Sequence, residues 1–184
     1  MRSQKTSSYA LLGLLLNEPH HGYELYQDLS DPAGLGQVWH LGMSQMYAEL
    51  KVLETKGWVK ATLELQDARP SKKVFELTKV GRTAFREWMT TPARGMREMR
   101  IEFIVRLYFA RMEGTAAVNE LIKRQEKSLC SELESLQQAS TSKDTASQFE
   151  KTVFSFRTSQ IQSALTWLKS FQAQNTSLKP RRRK

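Results

Sequence analysis

The side chains best suited to recognition chemistry lie in two short segments, residues 44–51 and 69–73. In the first, the amide of Gln45 could pair with adenine N6 and N7 in a two-pronged fashion, and Lys51 carries a charge suited to phosphate. The second segment adds three cations. Exposed glutamines and lysines are also common solvated side chains, so they predict nucleic-acid binding only where the fold presents them together. The candidates are Ser44, Gln45, Tyr47, Lys51, Arg69, Lys72 and Lys73.

Residue types that carry catalysis or bind metals are sparse. The sequence has a single cysteine, Cys130, and three histidines, of which His20 and His21 are adjacent and poorly placed to chelate one ion. It has no Gly-rich phosphate loop, Gly-x-Ser-x-Gly elbow or His-Glu-x-x-His pair. We therefore expect no enzymatic activity, no cofactor and no metal site. The histidines are expected to pack at the entry to a helix, where Gly22 permits the turn.

Charge, cysteine content and hydropathy indicate which partners and which compartment to expect. Residues 1–93 carry 11 basic and 10 acidic side chains, whereas residues 94–184 carry 17 and 9. The excess of basic side chains in the second half hints at a polyanionic partner. Five of these basic side chains lie in residues 179–184. A lone cysteine excludes an internal disulfide, which suits a reducing cytoplasm; a redox switch at Cys130 is the less favoured alternative because nearby acids oppose a thiolate. No apolar run reaches the ~20 residues of a membrane helix, so no membrane partner is expected.

The first half alternates short helices with one hairpin. Met46, Leu50 and Leu53 follow at spacings of four and three, which predicts a buried stripe and turns Ser44, Gln45, Ala48 and Lys51 to another face. Residues 59–66 alternate apolar and polar, which is typical of a half-buried strand. The predicted helices are Tyr9–Leu16 after caps at Thr6, Ser7 or Ser8, Gly22–Leu29, Met43–Lys56 closed by Gly57, and one from the cap Thr78 to Trp88; the predicted strands are Val59–Gln66 and Lys72–Leu77, joined by a turn at Asp67–Ser71.

This order of elements predicts a winged helix-turn-helix over residues 1–93. A helix about 10–12 Å across fits the major groove of duplex DNA, so the exposed face of the third helix could read base edges. The flanking helices and the hairpin loop would then grip phosphates. Winged helices also serve as protein-interaction modules, so the element order leaves an adaptor function open.

The second half, residues 94–178, changes to long helices without strand pattern. Helices are predicted over residues 97–111, 115–138 and 145–174, with a polar break at 139–144. The second has apolar residues near the heptad spacing of a coiled coil, and the apolar set of the third is too wide for one partner helix. Burial against a second copy would make this half an antiparallel helical dimerisation domain. The predicted fold class is thus mainly α with a small β hairpin, ending in a disordered basic tail at 179–184.

Several segments of the first half, in order and with family spacing, resemble the PadR family of bacterial transcriptional regulators. They are Tyr9-Ala-Leu-Leu-Gly-Leu-Leu, Pro19-His20-His21-Gly22-Tyr23-Glu24-Leu25, Gln45-Met46-Tyr47-Ala48-Glu49-Leu50, Leu53-Glu54-Thr55-Lys56-Gly57-Trp58-Val59 and Lys72-Lys73-Val74-Phe75-Glu76-Leu77-Thr78. The second half is similar to the longer-tailed branch of the family, which includes quorum-regulated virulence activators, in its three-helix layout and in Ala164-Leu165-Thr166-Trp167-Leu168.

The resemblance implies a cytoplasmic, nucleoid-associated homodimer that regulates transcription by placing each third helix in one half of an inverted-repeat DNA operator. Ala48 stands where the family often has proline, which should regularise the reading helix. The wing has less glycine and arginine than is usual, so it is expected to contact phosphate without entering the minor groove. The implied roles are a reading helix with Ser44, Gln45, Tyr47 and Lys51, of which Tyr47 contacts phosphate, and a wing with Arg69, Lys72 and Lys73.

An effector is a further expectation, since some members of the family bind flat aromatic molecules at the dimer interface. The candidate pocket walls are Phe103, Tyr108, Phe109 and Trp167, whereas Trp58 and Trp88 are expected in the core. Two rivals remain: a protein-interaction adaptor, in which the reading-helix residues are dispensable, and a small-molecule-binding protein whose DNA contacts ignore sequence.

Overall fold

A computed structural model describes residues 2–66, 69–141 and 147–177, with side chains described for residues 6–64, 72–139 and 147–174. The chain divides into two compact units, Met1–Thr90 and Thr91–Lys184. Mostly helical secondary structure with one small antiparallel sheet confirms the predicted class. Part of the predicted turn, Asp67 and Ala68, and the whole predicted tail at 179–184 lie outside the described residues.

The first unit holds α1 (Arg2–Leu14), β1 (His20–His21), α2 (Gly22–Ser30), a short 3-10 turn (Leu35–Gln37), α3 (Met43–Thr55), β2 (Val59–Gln66), β3 (Arg69–Leu77) and α4 (Lys79–Thr90).

Helix α1 begins earlier than its sequence indicates. Thr6, Ser7 and Ser8 lie inside the helix and are buried, so the prediction that they cap it was wrong. Their hydroxyls are buried in the core of the unit, where the Ser8 hydroxyl donates a hydrogen bond to the Glu49 carboxylate of α3. Small polar residues are therefore used here for close helix packing and a cross-helix contact.

The predicted buried stripe of α3 is confirmed, because Met46, Leu50 and Leu53 are at most 1% exposed. The helix ends as its sequence predicts: Gly57 has φ +67°, a left-handed conformation that favours glycine. Its amide donates to the Glu54 carbonyl, and the amide of Trp58 donates to the Leu53 carbonyl. These contacts fix both the rotation of α3 about its axis and the point at which the chain turns into β2.

The sheet has the order β1-β3-β2, with both pairs antiparallel. Strands β2 and β3 form the predicted hairpin, in register from Val59 opposite Leu77 to Leu63 opposite Lys73. The two-residue strand β1 was not predicted, since His20 and His21 carry no apolar alternation. Along β2 burial falls from Val59, 2% exposed, to Leu63, 57% exposed, so the outer end of the hairpin projects from the core.

Helix α4 follows the cap that Thr78 provides, as predicted. The Thr78 hydroxyl oxygen accepts a hydrogen bond from the Gly81 amide at 3.0 Å, and the same hydroxyl donates to the Gly57 carbonyl at 2.7 Å. The Thr78 side chain thus links the end of α3 to the start of α4. The helix continues to Thr90, two residues past the predicted end.

The second unit consists of helices throughout its described part. They are α5 (Gly95–Glu98), a π-helical turn (Met99–Phe103), α6 (Ile104–Glu113), α7 (Thr115–Thr141) and α8 (Gln148–Ser177). The fully buried Gln125 of α7 holds the start of the unit, accepting from the Ala93 amide at 2.7 Å and donating to the Ala93 carbonyl at 3.0 Å. Helix α7 extends to Thr141, so the predicted break does not begin at residue 139. None of the described helices combines the length and the apolar character needed to cross a membrane.

Candidate nucleic-acid interface

One face of α3 is exposed over most of its length. Ser44, Gln45, Ala48 and Lys51 all point away from the buried stripe and are exposed, as the spacing predicts. Since Met46, Leu50 and Leu53 fix the opposite face, these side chains are presented on a helix that cannot rotate without exposing its core residues. The arrangement offers one amide, one hydroxyl and one cation along a single surface.

The Gln45 amide has a local role as well. Its Oε1 atom accepts a hydrogen bond from the Gly42 amide at 3.3 Å, which satisfies one of the unpaired N–H groups at the start of α3. A two-pronged contact with adenine uses this oxygen as an acceptor and the amide nitrogen as a donor. Base recognition would therefore exchange the long Gly42 contact for one with the base.

An open groove of about 280 Å³ lies beside this face, between α3, the start of α2 and the hairpin. It brings together three of the residues singled out in the sequence, Tyr47, Lys72 and Lys73. The groove thus places a tyrosine beside two basic residues, a set that suits an anion such as a backbone phosphate. Its remaining lining residues are His21, Gly22, Tyr23 and Glu24.

Tyr47 itself lies against Gly22. A methyl group added at Gly22 would come within 2.4 Å of the Tyr47 hydroxyl oxygen and 2.7 Å of its Cε1 atom. Gly22 is not among the glycines with positive φ, which are Gly57, Gly95 and Gly114. The expectation that Gly22 permits a turn is therefore wrong: the missing side chain leaves room for the Tyr47 ring, and the backbone conformation does not need glycine.

Acidic side chains reduce the positive charge of this surface. Lys73 Nζ lies 3.7 Å from the Glu54 carboxylate of α3, which links the hairpin to the reading helix. His21 Nε2 lies 3.5 Å from the Glu64 carboxylate of β2. Both contacts involve partly exposed groups, so solvent screens them. The net positive potential around the groove is consequently smaller than a count of its lysines would indicate.

The other sequence candidates are placed as follows. Lys51 is exposed on α3. The backbone of Arg69 pairs with Gln66 near the end of the hairpin, and its side chain lies outside the described part of the chain.

Sequence reasoning missed Glu54 and the role of Gly22, because both contacts join residues distant in sequence. The expected packing of the histidines is confirmed: His21 precedes α2 directly, and His20 Nδ1 lies 3.0 Å from the Glu18 carbonyl.

The four candidate effector residues of the second unit form two edge-to-face ring pairs. Phe103 lies 6.1 Å from Trp167, and Tyr108 lies 5.2 Å from Phe109, measured between ring centroids. Phe103 and Phe109 are buried, Tyr108 is half-buried, and Trp167 is 41% exposed. Trp167 and Tyr108 are thus the members of this group that a ligand can reach without moving the core.

A winged helix-turn-helix with an exposed third helix, followed by a separate helical unit, is an architecture of transcriptional regulators. Residues 11–87 match the model of the transcriptional regulator PadR-like family. Residues 99–174 match the model described as virulence activator alpha C-term. The chain thus carries a PadR-like family domain followed by a virulence activator alpha C-term domain, in the order that the sequence predicts.

Two relatives are similar in sequence. The probable transcriptional regulator Rv1176c of Mycobacterium tuberculosis is 34% identical over 84 residues, which are 46% of this chain and 43% of that protein. The negative transcriptional regulator PadR of Bacillus subtilis is 29% identical over 129 residues, 70% of each protein. This chain therefore spans less than half of the mycobacterial relative.

Solved structures of the Bacillus subtilis protein are also similar. Its complex with operator DNA is 25% identical, covers 91% of this chain and 97% of that chain, and has a TM-score of 0.46. Its complex with p-coumaric acid is 23% identical, covers 95% of this chain and 98% of that chain, and has a TM-score of 0.42.

Proposed function

We propose that this chain is a sequence-specific DNA-binding regulator of transcription that acts as a homodimer on a pseudo-palindromic operator. The observation that carries the proposal is the exposed polar face of α3 beside a groove that gathers Tyr47, Lys72 and Lys73. The match of residues 11–87 to the PadR-like family model supports a role in transcription. The two features together favour DNA as the partner of this surface.

In the proposed complex α3 lies in the major groove. Ser44 and Gln45 contact base edges, and Lys51 and the groove residues bind the phosphates alongside. Each lysine that neutralises a phosphate should steepen the dependence of affinity on salt by about one in the logarithmic slope. Sequence preference then comes from α3, and most of the affinity comes from the backbone.

A second copy of the chain would cover the apolar surface of α8. Phe149, Val153 and Phe156 recur at spacings of four and three and are 75%, 38% and 62% exposed. Large aromatic side chains at this exposure favour burial at an interface. A two-fold dimer presents its two reading helices to half-sites about one helical turn, or a multiple of it, apart.

An effector would act on this dimer. A flat molecule bound beside Trp167 and Tyr108 would alter the separation or angle of the two reading helices. Such coupling between sites is typically worth about 1–3 kcal/mol. A bacterial regulator of this kind works in the cytoplasm, associated with the nucleoid.

A binding titration tests the proposal. The wild type is measured against the DNA upstream of its own gene and a scrambled duplex, at low and near-physiological salt, beside a Gln45→Ala/Lys51→Ala variant. Lys123→Ala, which removes an exposed charge on α7, serves as the control. We expect a preference for the upstream DNA that survives salt, is lost in the double variant and is retained in the control.

Equal, salt-sensitive binding to both duplexes calls for selection of sites from the whole genome. If that selection also yields no preferred sequence, the DNA-reading function is wrong and the adaptor hypothesis takes its place.

A further inference from the structure

Gly22 is buried at the start of α2, where its backbone does not require glycine. Alanine is the better residue inside a helix, so a glycine at this point needs another reason. The three atoms nearest to a Cβ added at this position all belong to Tyr47: the hydroxyl oxygen at 2.4 Å, Cε1 at 2.7 Å and Cζ at 2.8 Å. The glycine therefore makes room for one phenol ring.

The contact with Gly22 is not a requirement of the hydrophobic core. Tyr47 is 42% exposed, whereas the core of α3 is formed by the buried stripe of Met46, Leu50 and Leu53. The outer atoms of a half-exposed ring can move aside when a methyl group is added. A side chain at residue 22 would consequently displace the Tyr47 hydroxyl while α2 and α3 remain packed.

The position of that hydroxyl matters for the groove. Tyr47 lines it together with Lys72 and Lys73, which lie on the hairpin, whereas Tyr47 lies on the reading helix. A phosphate bound there would meet the basic residues of the hairpin from one side and a neutral hydroxyl donor from the other. The positive charge attracts the phosphate, and the hydroxyl adds a directional contact that fixes its place relative to α3.

We propose that Gly22 is a positioning residue for DNA-backbone recognition: its missing side chain lets the Tyr47 ring lie on the start of α2, which holds the Tyr47 hydroxyl in the groove for one phosphate. This inference rests on the proposed function, since it assumes that the groove binds DNA. It adds a residue that contacts no DNA itself and acts through Tyr47.

A double-mutant cycle tests this role. The affinities of wild type, Gly22→Ala, Tyr47→Ala and the double variant are measured for a duplex that the wild type has selected from a random library. We expect Gly22→Ala to weaken binding about three- to tenfold, the size of one hydrogen bond. In the Tyr47→Ala background the same change should have no effect, because the ring it displaces is absent.

Two further readouts separate positioning from a structural effect. Gly22→Ala should leave the thermal unfolding midpoint within a degree or two and the salt slope unchanged, because no charge is lost; Lys72→Ala should lower that slope by about one. Tyr47→Phe should weaken binding about as much as Gly22→Ala.

Three results would overturn the inference. Gly22→Ala could weaken binding equally in both backgrounds, it could lower the unfolding midpoint together with the affinity, or it could leave the affinity unchanged. If the wild type selects no duplex at all, the DNA-binding proposal itself fails and this inference falls with it. The two failures are distinct, because only the second affects the wild type.

Discussion

The two units of this chain divide charge unequally. Residues 1–93, which hold the reading helix and the groove, carry 11 basic and 10 acidic side chains, whereas residues 94–184 carry 17 and 9. The half proposed to contact bases is thus nearly neutral. A recognition surface of this kind depends on where its few cations lie, as at Lys72 and Lys73, and gains little from the net charge of its own unit.

Both units expose large apolar side chains, but in the helical unit the exposed aromatic rings lie along a single helix. Phe149 and Phe156 of α8 are 75% and 62% exposed, while the Ile161, Ala164 and Leu168 side chains of the same helix are buried. One side of α8 therefore packs within its unit and another side does not. We propose that another copy of the chain covers this exposed side of α8.

The largest effect is expected where a variant disrupts the proposed dimer interface on α8. Phe149→Asp/Phe156→Asp removes two side chains that are each worth about 1.5–3 kcal/mol when buried, and it adds like charges across a two-fold interface. The dimer dissociation constant, measured by analytical ultracentrifugation, should rise at least about a hundredfold, and operator affinity should fall with it.

Val80→Asp is the matched control for this variant. Val80 lies on α4 of the first unit and is 60% exposed, so it makes the same apolar-to-acidic change on a surface with no proposed partner. It should leave the dimer intact. A dimer that survives the α8 double variant, or one that Val80→Asp breaks equally, would assign the interface to another surface.

A smaller effect is expected at the ion pair between Lys73 and Glu54. Glu54→Gln releases Lys73 from a carboxylate 3.7 Å away. Because exposed ion pairs are worth only about 0.2–1 kcal/mol, DNA affinity at low salt should rise about two- to threefold, and the gain should shrink as salt is added.

Glu76→Gln provides the comparison, since Glu76 lies 2.9 Å from Lys60 on the same hairpin and neither residue lines the groove. It should change affinity less than Glu54→Gln. Equal gains from both variants would mean that the hairpin acts through its total charge and that the place of Lys73 is unimportant.

Much of the fold was predictable because its signals are local. The four- and three-residue spacing of Met46, Leu50 and Leu53 gave the orientation of α3, and the alternation in β2 gave the hairpin. The residues on the opposite face of α3 followed from the same periodicity. Exposure of Gln45 and Lys51 therefore needed no knowledge of tertiary structure, although the roles assigned to them stay predictions.

The rest depended on contacts between distant parts of the chain. Strand β1 exists because His20 and His21 pair with β3, more than fifty residues later, and two residues carry no pattern of their own. The serines of α1 were taken for caps because their burial and the Ser8–Glu49 contact were invisible in the sequence. The match between Gly22 and Tyr47 likewise appears only when α2 and α3 are packed together.

The central claim is that the exposed face of α3 reads base edges, and an operator scan tests it most directly. Each base pair of a selected operator is replaced in turn, and discrimination is measured for wild type and for Gln45→Ala. We expect the variant to lose about 1–3 kcal/mol of discrimination at one position in each half-site, symmetrically, and to keep it elsewhere. A variant whose discrimination profile matches the wild type at every position, or is weakened uniformly, would contradict the claim.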